Sequence, residues 1–381
     1  MKRSIPYLIV LVLSATAFAQ PVPLLRQAPI EDLTVTLYAD SDRAMVQETC
    51  KVLLPAGESE VRFQWTDADV DAGAISLRSA EPVIVGGVRQ PAGTSKTFAW
   101  PVRVDQAGEY RFIASYFVRS IKWSATYRLN FDAEAGTAAL VGQLHLTNAG
   151  KLPLRGVDVS LCVAPTGVLG RMESAEAGGA LPTLARLEDF TLEPGWQRRV
   201  GFIRARDLPA RVVYRVEPES QGQKVRRFLV VDMKDLGLPS ALPKGHLEVS
   251  ERVGLNLTPV AAGDLVQAQD KDTEILLGDE PNVVFERRIL KRVKNMVEFD
   301  RLGRVSGYDT LEEVSDTLRN RRGSTIKVEL IEGIGGKWDF TSPDAPTLKE
   351  ANLLKWEFAL PAGEAREIRF TITRHTGTRA D

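Results

Sequence analysis

Between Ile121 and Phe131 the chain reads IKWSATYRLNF, with Ile121, Trp123, Ala125, Tyr127, Leu129 and Phe131 at alternate positions and Lys122, Ser124, Thr126, Arg128 and Asn130 between them. A period of two is that of a strand with one face in a core and the other in water. An amphipathic helix would repeat its apolar residues every three or four positions. The same alternation recurs in TVTLY (34–38), VSLCV (159–163), KVELI (327–331) and EIRFTI (367–372), each bounded by Gly, Pro, Asn or Asp. Helical patterning is almost absent; a short turn within Glu173 to Leu187 is the one candidate, and that stretch reads better as a loop. A lone hairpin does not persist in water, whereas two sheets face to face bury their apolar sides. The expected fold class is therefore all-β: two or three tandem immunoglobulin-like antiparallel β-sandwich domains. Trp123 and Trp356 sit on apolar alternations and are expected in the core.

A short phrase is written three times. LPAGESEVRF starts at Leu54, FTLEPGWQRRVGF at Phe190 and LPAGEAREIRF at Leu360, and they align on Gly57, Gly195 and Gly363. An apolar residue stands five positions before each glycine (Val52, Phe190, Phe358) and a leucine three before (Leu54, Leu192, Leu360). Two apolar residues spaced by two follow: Val61 and Phe63, Val200 and Phe202, Ile368 and Phe370. This pattern predicts a strand end, a turn whose glycine takes a backbone angle that other residues resist, and a second strand. Upstream of two copies lies a matching element, LHLTNAGKLPLRGVDVSL from Leu144 and DTLRNRRGSTIKVEL from Asp316. Each runs strand, Asn, short turn, strand, with Asn148 47 residues before Gly195 and Asn320 43 before Gly363. Equal order and near-equal spacing imply two sandwiches on one plan. The expected division is an N-terminal β-domain at 30–105, a central sandwich at 106–215 and a C-terminal sandwich at 216–375.

Residues 1–19 have the form of an export signal, with Lys2 and Arg3 first, an apolar run from Ile5 to Leu13, and Ala17 and Ala19 at an A-x-A site. That run is shorter than the roughly 20 residues that span a bilayer. The expectation is a periplasmic or secreted product cleaved near Gln20. Two cysteines, Cys50 and Cys162, then meet an oxidising compartment. A disulfide between them is one reading; two free thiols in separate core settings is the other.

The run AGEYRFIASYFVRSIKWSATYRLNFD (107–132), continuing through LHLTNAG and VDVSLCVAP, resembles the core of the domain of unknown function family 4139, whose members include mucoidy-inhibitor-A-like bacterial proteins. Trp123 and Tyr127 fit its W-x-x-x-Y strand, and ALPKGHLEVS, EILLGDEPNVVFERRI and the closing LKWEFALPAGEAREIRF resemble later segments. The likeness spans roughly Leu33 to Arg374. Longer members carry a helical coiled-coil insertion where this chain has only RQPAGTSKTFAWPV (89–102). The resemblance implies a bacterial envelope setting and no established reaction.

Residues that carry chemistry are few. His145, His246 and His375 share no metal-like spacing with one another or with the cysteines, and no nucleophile elbow, zinc-protease pair or phosphate loop occurs. Asp67, Asp69 and Asp71 alternate like part of a calcium loop, but Arg78 stands where that loop needs Glu. No catalytic residue, metal or cofactor is expected. A net charge of −1, from 49 basic and 50 acidic residues, gives no general attraction to nucleic acid or anionic lipid, so a charged partner needs a local patch. The basic run FERRILKRVKN offers Arg287, Arg288, Lys291 and Arg292, with RNRRG at 319–323, as an anion-binding patch for phosphate or uronate groups. Charged side chains on an edge strand also deter stray pairing, and that is the favoured reading of the run. Trp196 replaces the Glu58 and Glu364 of the other glycine turns and is the best candidate for an exposed sugar-stacking ring. The expected function is a non-catalytic binding or scaffolding component of the envelope, with an unidentified protein or polysaccharide partner and no nucleic acid. A polysaccharide-related role is the alternative. A glycoside hydrolase using two carboxylates is the third, since such pairs leave no spacing in sequence.

Overall fold

The computed structural model describes residues 21–22, 30–38, 41–65, 70, 72–90, 97–162, 183–234, 236, 242–265, 272–350 and 352–380. The export signal, Asp67, Asp69 and Asp71, and residues 173–182 of the expected loop lie outside them. The strands run β1 (Pro21–Val22), β2 (Ile30–Tyr38), β3 (Ala44–Leu54), β4 (Gly57–Gln64), β5 (Ser76–Ser79), β6 (Ile84–Val85), β7 (Thr97–Val104) and β8 (Gly108–Val118). There follow β9 (Ile121–Asp132), β10 (Thr137–Asn148), β11 (Leu154–Cys162), β12 (Thr183–Leu192), β13 (Gln197–Val216), β14 (Val225–Val231), β15 (Gly245–Val253) and β16 (Asn256–Leu265). The last are β17 (Thr273–Asp279), β18 (Val283–Phe299), β19 (Val305–Asn320), β20 (Ile326–Gly333), β21 (Lys337–Thr341), β22 (Leu348–Glu350), β23 (Leu353–Leu360) and β24 (Ala365–Gly377). One helical turn, α1 (Pro218–Gln221), joins β13 to β14. The protein is all-β and sandwich-like, as the alternation predicts. Ile121, Ala125, Tyr127, Leu129 and Phe131 of β9 are buried, with Trp123 half-buried.

The chain forms two compact units, residues 1–124 with 145–200, and 125–144 with 201–381. In the first, the sheet β1-β4-β7-β6 packs on the sheet β12-β11-β2-β3-β8-β5. The contact is aromatic: Trp65 lies 4.9 Å from Phe63 and 5.1 Å from Tyr116 of the other sheet, ring centre to ring centre. In the second, the sheet β18-β19-β24-β21 encloses a core with β13, β14, β20 and β23 of a ten-stranded sheet; Phe285, Leu318, Leu330, Trp356 and Phe370 meet there. These units differ from the sequential segments 30–105, 106–215 and 216–375. Strand β8 pairs along its whole length with β3, and β11 runs parallel to β2, so residues on both sides of position 105 share one sheet. Strands β9, β10 and β13 each contribute to both units.

The disulfide reading is corrected. Cys50 pairs in register with Ile30 and Cys162 with Tyr38, at opposite ends of β2. Eight residues of strand separate those ends by roughly 26 Å at 3.3 Å per residue, where a disulfide needs its Cα atoms within about 7 Å. Both are buried free thiols. Burial pushes the Cys50 thiol up to about 12, with the Glu48 carboxylate adding to the effect.

The repeated phrases form one recurring device. Gly57, Gly195 and Gly363 all have positive φ, at 100°, 78° and 75°. Each joins strands that do not pair with one another: β3 to β4, β12 to β13 and β23 to β24 lie in different sheets. The turn thus carries the chain from one layer to another rather than closing a hairpin. At Gly195 and Gly363 the following residue donates its N–H back to the carbonyl three positions earlier (Trp196 to Glu193, 3.1 Å; Glu364 to Pro361, 3.3 Å), which puts glycine where a type II turn demands positive φ. The upstream asparagines hold these turns. Buried Asn148 donates Nδ2 to Leu152 O (2.7 Å) and Leu192 O (3.2 Å) and accepts at Oδ1 from Gly150 N (3.0 Å). Buried Asn320 donates to Ser324 O (2.8 Å), Leu360 O (3.0 Å) and Pro361 O (3.0 Å) and accepts from Arg322 N (2.9 Å). Their own N–H groups bond Trp196 O and Glu364 O, the residue after each glycine. The two sequence repeats are therefore halves of one clamp.

Candidate functional site

Strand β18 carries the basic run and lies at the edge of its sheet, pairing among the described residues with β19 alone. Its base is apolar and buried through Val283 and Phe285. Period two then directs Arg287 inward, on the face of Phe285. Its guanidinium forks onto Asp316 (Nε to Oδ1 2.8 Å, Nη2 to Oδ2 2.7 Å) and also reaches Glu332 (Nη2 to Oε2, 2.7 Å) on the facing sheet. Asp316 and Glu332 are almost fully buried, at 0% and 1% exposure. Burial works against the charge of Arg287, but its hydrogen bonds to the two carboxylates outweigh this and raise its pKa. Burial also pushes Asp316 and Glu332 up, and Arg287 offsets only part of that. The cluster continues outward: Arg374 contacts Glu332, Glu312 and Glu219 of α1, and Arg292 caps Glu312. Arg287 belongs to the tie between the two sheets rather than to an open patch.

The other basic residues face water with acids beside them. Arg288 pairs with Glu286 (2.7 Å), and Lys291 with Glu313 (3.5 Å). In the RNRRG run, Arg322 turns to Glu280 (2.7 Å) and lies over the Tyr214 ring, whereas Arg319 and Arg321 are exposed near the base of β18. What remains open on β18, among the described residues, is a strand edge from Arg288 outward, with Arg288 and Lys291 exposed along it. Exposed charge pairs of this kind hold loosely, contributing about 0–1 kcal/mol each, and exchange readily with an incoming anion.

Trp196 is 68% exposed, in the first unit, whereas β18 belongs to the second. Arg198 lies near it in sequence and stacks on Phe190, 4.8 Å from the ring centre. His145 is half-buried, and burial, helped by Arg199, lowers its pKa; His246 is exposed. Among the described residues no group of three or more His, Cys, Asp and Glu side chains has the geometry to hold a metal ion. No helix among them is long and apolar enough to cross a membrane.

One cluster has no counterpart in the sequence reading. His375 of β24 joins Asp309 of β19 (Nδ1 to Oδ1, 2.8 Å) and Asp339 of β21 (Nε2 to Oδ2, 3.1 Å), while Arg379 forks onto Asp309. The hydrogen bonds from Arg379 and then His375 hold Asp309 down to about 2, and Asp309 in turn raises the His375 pKa. The available signal was faint: Asp309 lies one residue beyond a Gly-Tyr pair in an otherwise strand-like run, and nothing local marks its partner 66 positions later. No protein-family model matches the chain, and the search of curated proteins finds no match to it.

Proposed function

We propose that this protein is a non-catalytic binding or scaffolding component of the bacterial cell envelope, and that it engages its partner along the free edge of β18. The observation that carries this reading is a 17-residue strand whose outer part has exposed side chains and a main-chain edge unpaired among the described residues. Such an edge offers a row of N–H and C=O groups to an extended segment of another chain, and side chains alongside select that segment. With Arg288 and Lys291 exposed there, the complementary partner is an acidic, extended protein segment. Export rests on the form of residues 1–19, and the envelope setting on the resemblance to the mucoidy-inhibitor-A-like proteins.

The test is capture from envelope extract by the wild-type chain and by the double variant Arg288→Glu, Lys291→Glu. Charge reversal is expected to release the captured protein, and equal capture by both chains defeats the reading. A second reading, polysaccharide binding, draws on the exposure of Trp196. A glycan array on which uronate-bearing polymers bind wild type but not Trp196→Ala would favour it.

A further inference from the structure

Beyond Asn295 the hairpin of β18 and β19 changes character. The register slips between Asn295 and Glu298, and Met296 there has φ of 49°, a left-handed conformation that a long side chain seldom adopts. Such a bulge re-aims the side chains that follow it. Past the Gly307–Gly377 pair, β18 and β19 are the strands that continue among the described residues, with Thr378 and Arg379 beside Ser306 and Glu298, and a tight turn at 300–304 joins them. Asp300 rigidifies that turn: its N–H bonds Arg304 O (2.7 Å) and its Oδ1 accepts from Leu302 N and Arg304 N (both 2.8 Å). The turn holds Leu302 out at 75% exposure, beside Phe299 at 64% and its cross-strand neighbour Val305, with Met296 and Val297 just behind.

At this apex three cations, Lys294, Arg301 and Arg304, stand against two acids, Glu298 and Asp300, and the acids are the engaged ones. Its two acids are occupied, Asp300 by the turn amides and Glu298 by Thr378 Oγ1 (2.6 Å) and Arg379 (3.6 Å). None of its cations makes a side-chain ion pair with a described residue: Lys294 lies over the Tyr308 ring at 3.5 Å, and Arg301 and Arg304 are exposed. An apolar tip flanked by exposed cations suits a surface that is oily beneath and negative on top. A second copy meeting it tip to tip would set Arg301 and Arg304 against like charges. We propose that the apex from Met296 to Val305 docks the protein onto an anionic phospholipid surface. Phe299 and Leu302 enter the boundary between headgroups and acyl chains, and Lys294, Arg301 and Arg304 lie at the phosphates. This contact uses different residues from the strand-edge binding proposed above and stands apart from it.

The experiment is co-sedimentation of the full chain with vesicles of phosphatidylcholine alone and of an equal mixture with phosphatidylglycerol. Binding is expected to the mixed vesicles, to weaken with salt, and to fall about tenfold or more in Phe299→Asp and Leu302→Asp, whose exposed positions leave the fold intact. Arg301→Glu with Arg304→Glu is expected to abolish the preference for the anionic vesicles. Leu255→Asp, on the exposed turn between β15 and β16, and the pair Arg288→Glu, Lys291→Glu are expected to bind as wild type. Absence of sedimentation with either lipid overturns the proposal, as does unchanged binding by Leu302→Asp or an equal loss in Leu255→Asp or in the Arg288, Lys291 pair. Light scattering supplies a further arm: a dimer that Leu302→Asp dissolves would assign the apex to a second copy and overturn lipid docking.

Discussion

Replacing Asn320 by alanine tests whether the repeated Asn and Gly phrases are one clamp. The side chain makes four contacts, three through Nδ2 and one through Oδ1. Two amide hydrogens serve three carbonyls, so about three full hydrogen bonds are lost, at a net ~1 kcal/mol each. The bond to Leu360 O is buried, and stranding that carbonyl adds about 1 kcal/mol more, whereas the bonds to Ser324 O and Pro361 O are only part-buried. Asn320→Ala should therefore destabilise the second unit by about 3–4 kcal/mol. Asn320→Asp should be no milder, because it keeps the acceptor for Arg322 N and turns a carboxylate toward three carbonyls. Asn148→Ala, with two donated bonds and one accepted and a buried bond to Leu192 O, should cost about the same, 3–4 kcal/mol, in the first unit. Urea unfolding gives the size from the midpoint at unchanged slope. Hydrogen exchange read by mass spectrometry says which unit has loosened. A loss below about 1 kcal/mol in Asn320→Ala, or equal loosening of both units by one variant, would refute the clamp.

Arg287→Ala strands two buried carboxylates and should cost about 3–5 kcal/mol in urea unfolding. Its exposed neighbour Arg288→Ala should stay within about 0.5 kcal/mol, and equal effects would contradict the inward placement of Arg287. The His375 ring should titrate by NMR above the ordinary 6.5, and Asp309→Asn should bring it down. The contribution of His375 to stability is then full below 6.5 and lost as pH rises through its raised pKa. Asp309, depressed from 3.8 to about 2, contributes above the former value and loses its contribution as pH falls through the latter. Both thiols should resist a disulfide-exchange reagent in the native protein and react together in denaturant without reductant; no reaction in denaturant would restore the disulfide.

Much of the fold was legible because a strand's period of two writes burial directly into sequence. β9, β11, β20 and β24 lie where the alternation puts them, and the three glycines have the backbone angle their turns require. Strand partnership was not legible. Nothing local tells β8 to pair with β3, or β11 to run parallel to β2, since pairing depends on which sheets close over one another. The inward turn of Arg287 is written in the same period of two. It follows Phe285 by two, while Asp316 precedes Leu318 by two and Glu332 follows Leu330 by two, so three charges occupy apolar faces. A run of adjacent basic residues looks like a patch until the period divides it into one residue inside and one outside. The apex hid for the opposite reason: its apolar residues continue the strand pattern, and only the end of the facing layer leaves them bare.

Strand β18 thereby carries a gradient along its length. Val283 and Phe285 belong to the core, Arg287 and the carboxylates it binds stand where that core ends, and from Arg288 onward the side chains face water. An oily sandwich needs closing at its open end, and a buried ion cluster does this only if every partner is present, which is why removing one member costs far more than the cluster contributes as a whole. Because Arg287 is on β18, Asp316 on β19 and Glu332 on the facing β20, the closure also fixes the hairpin to both layers. Rigid anchoring at the base lets the outer strand present an edge and an apex without a core of its own. The partner and the lipid surface proposed above would then meet a preformed shape and not bear the entropy of ordering it.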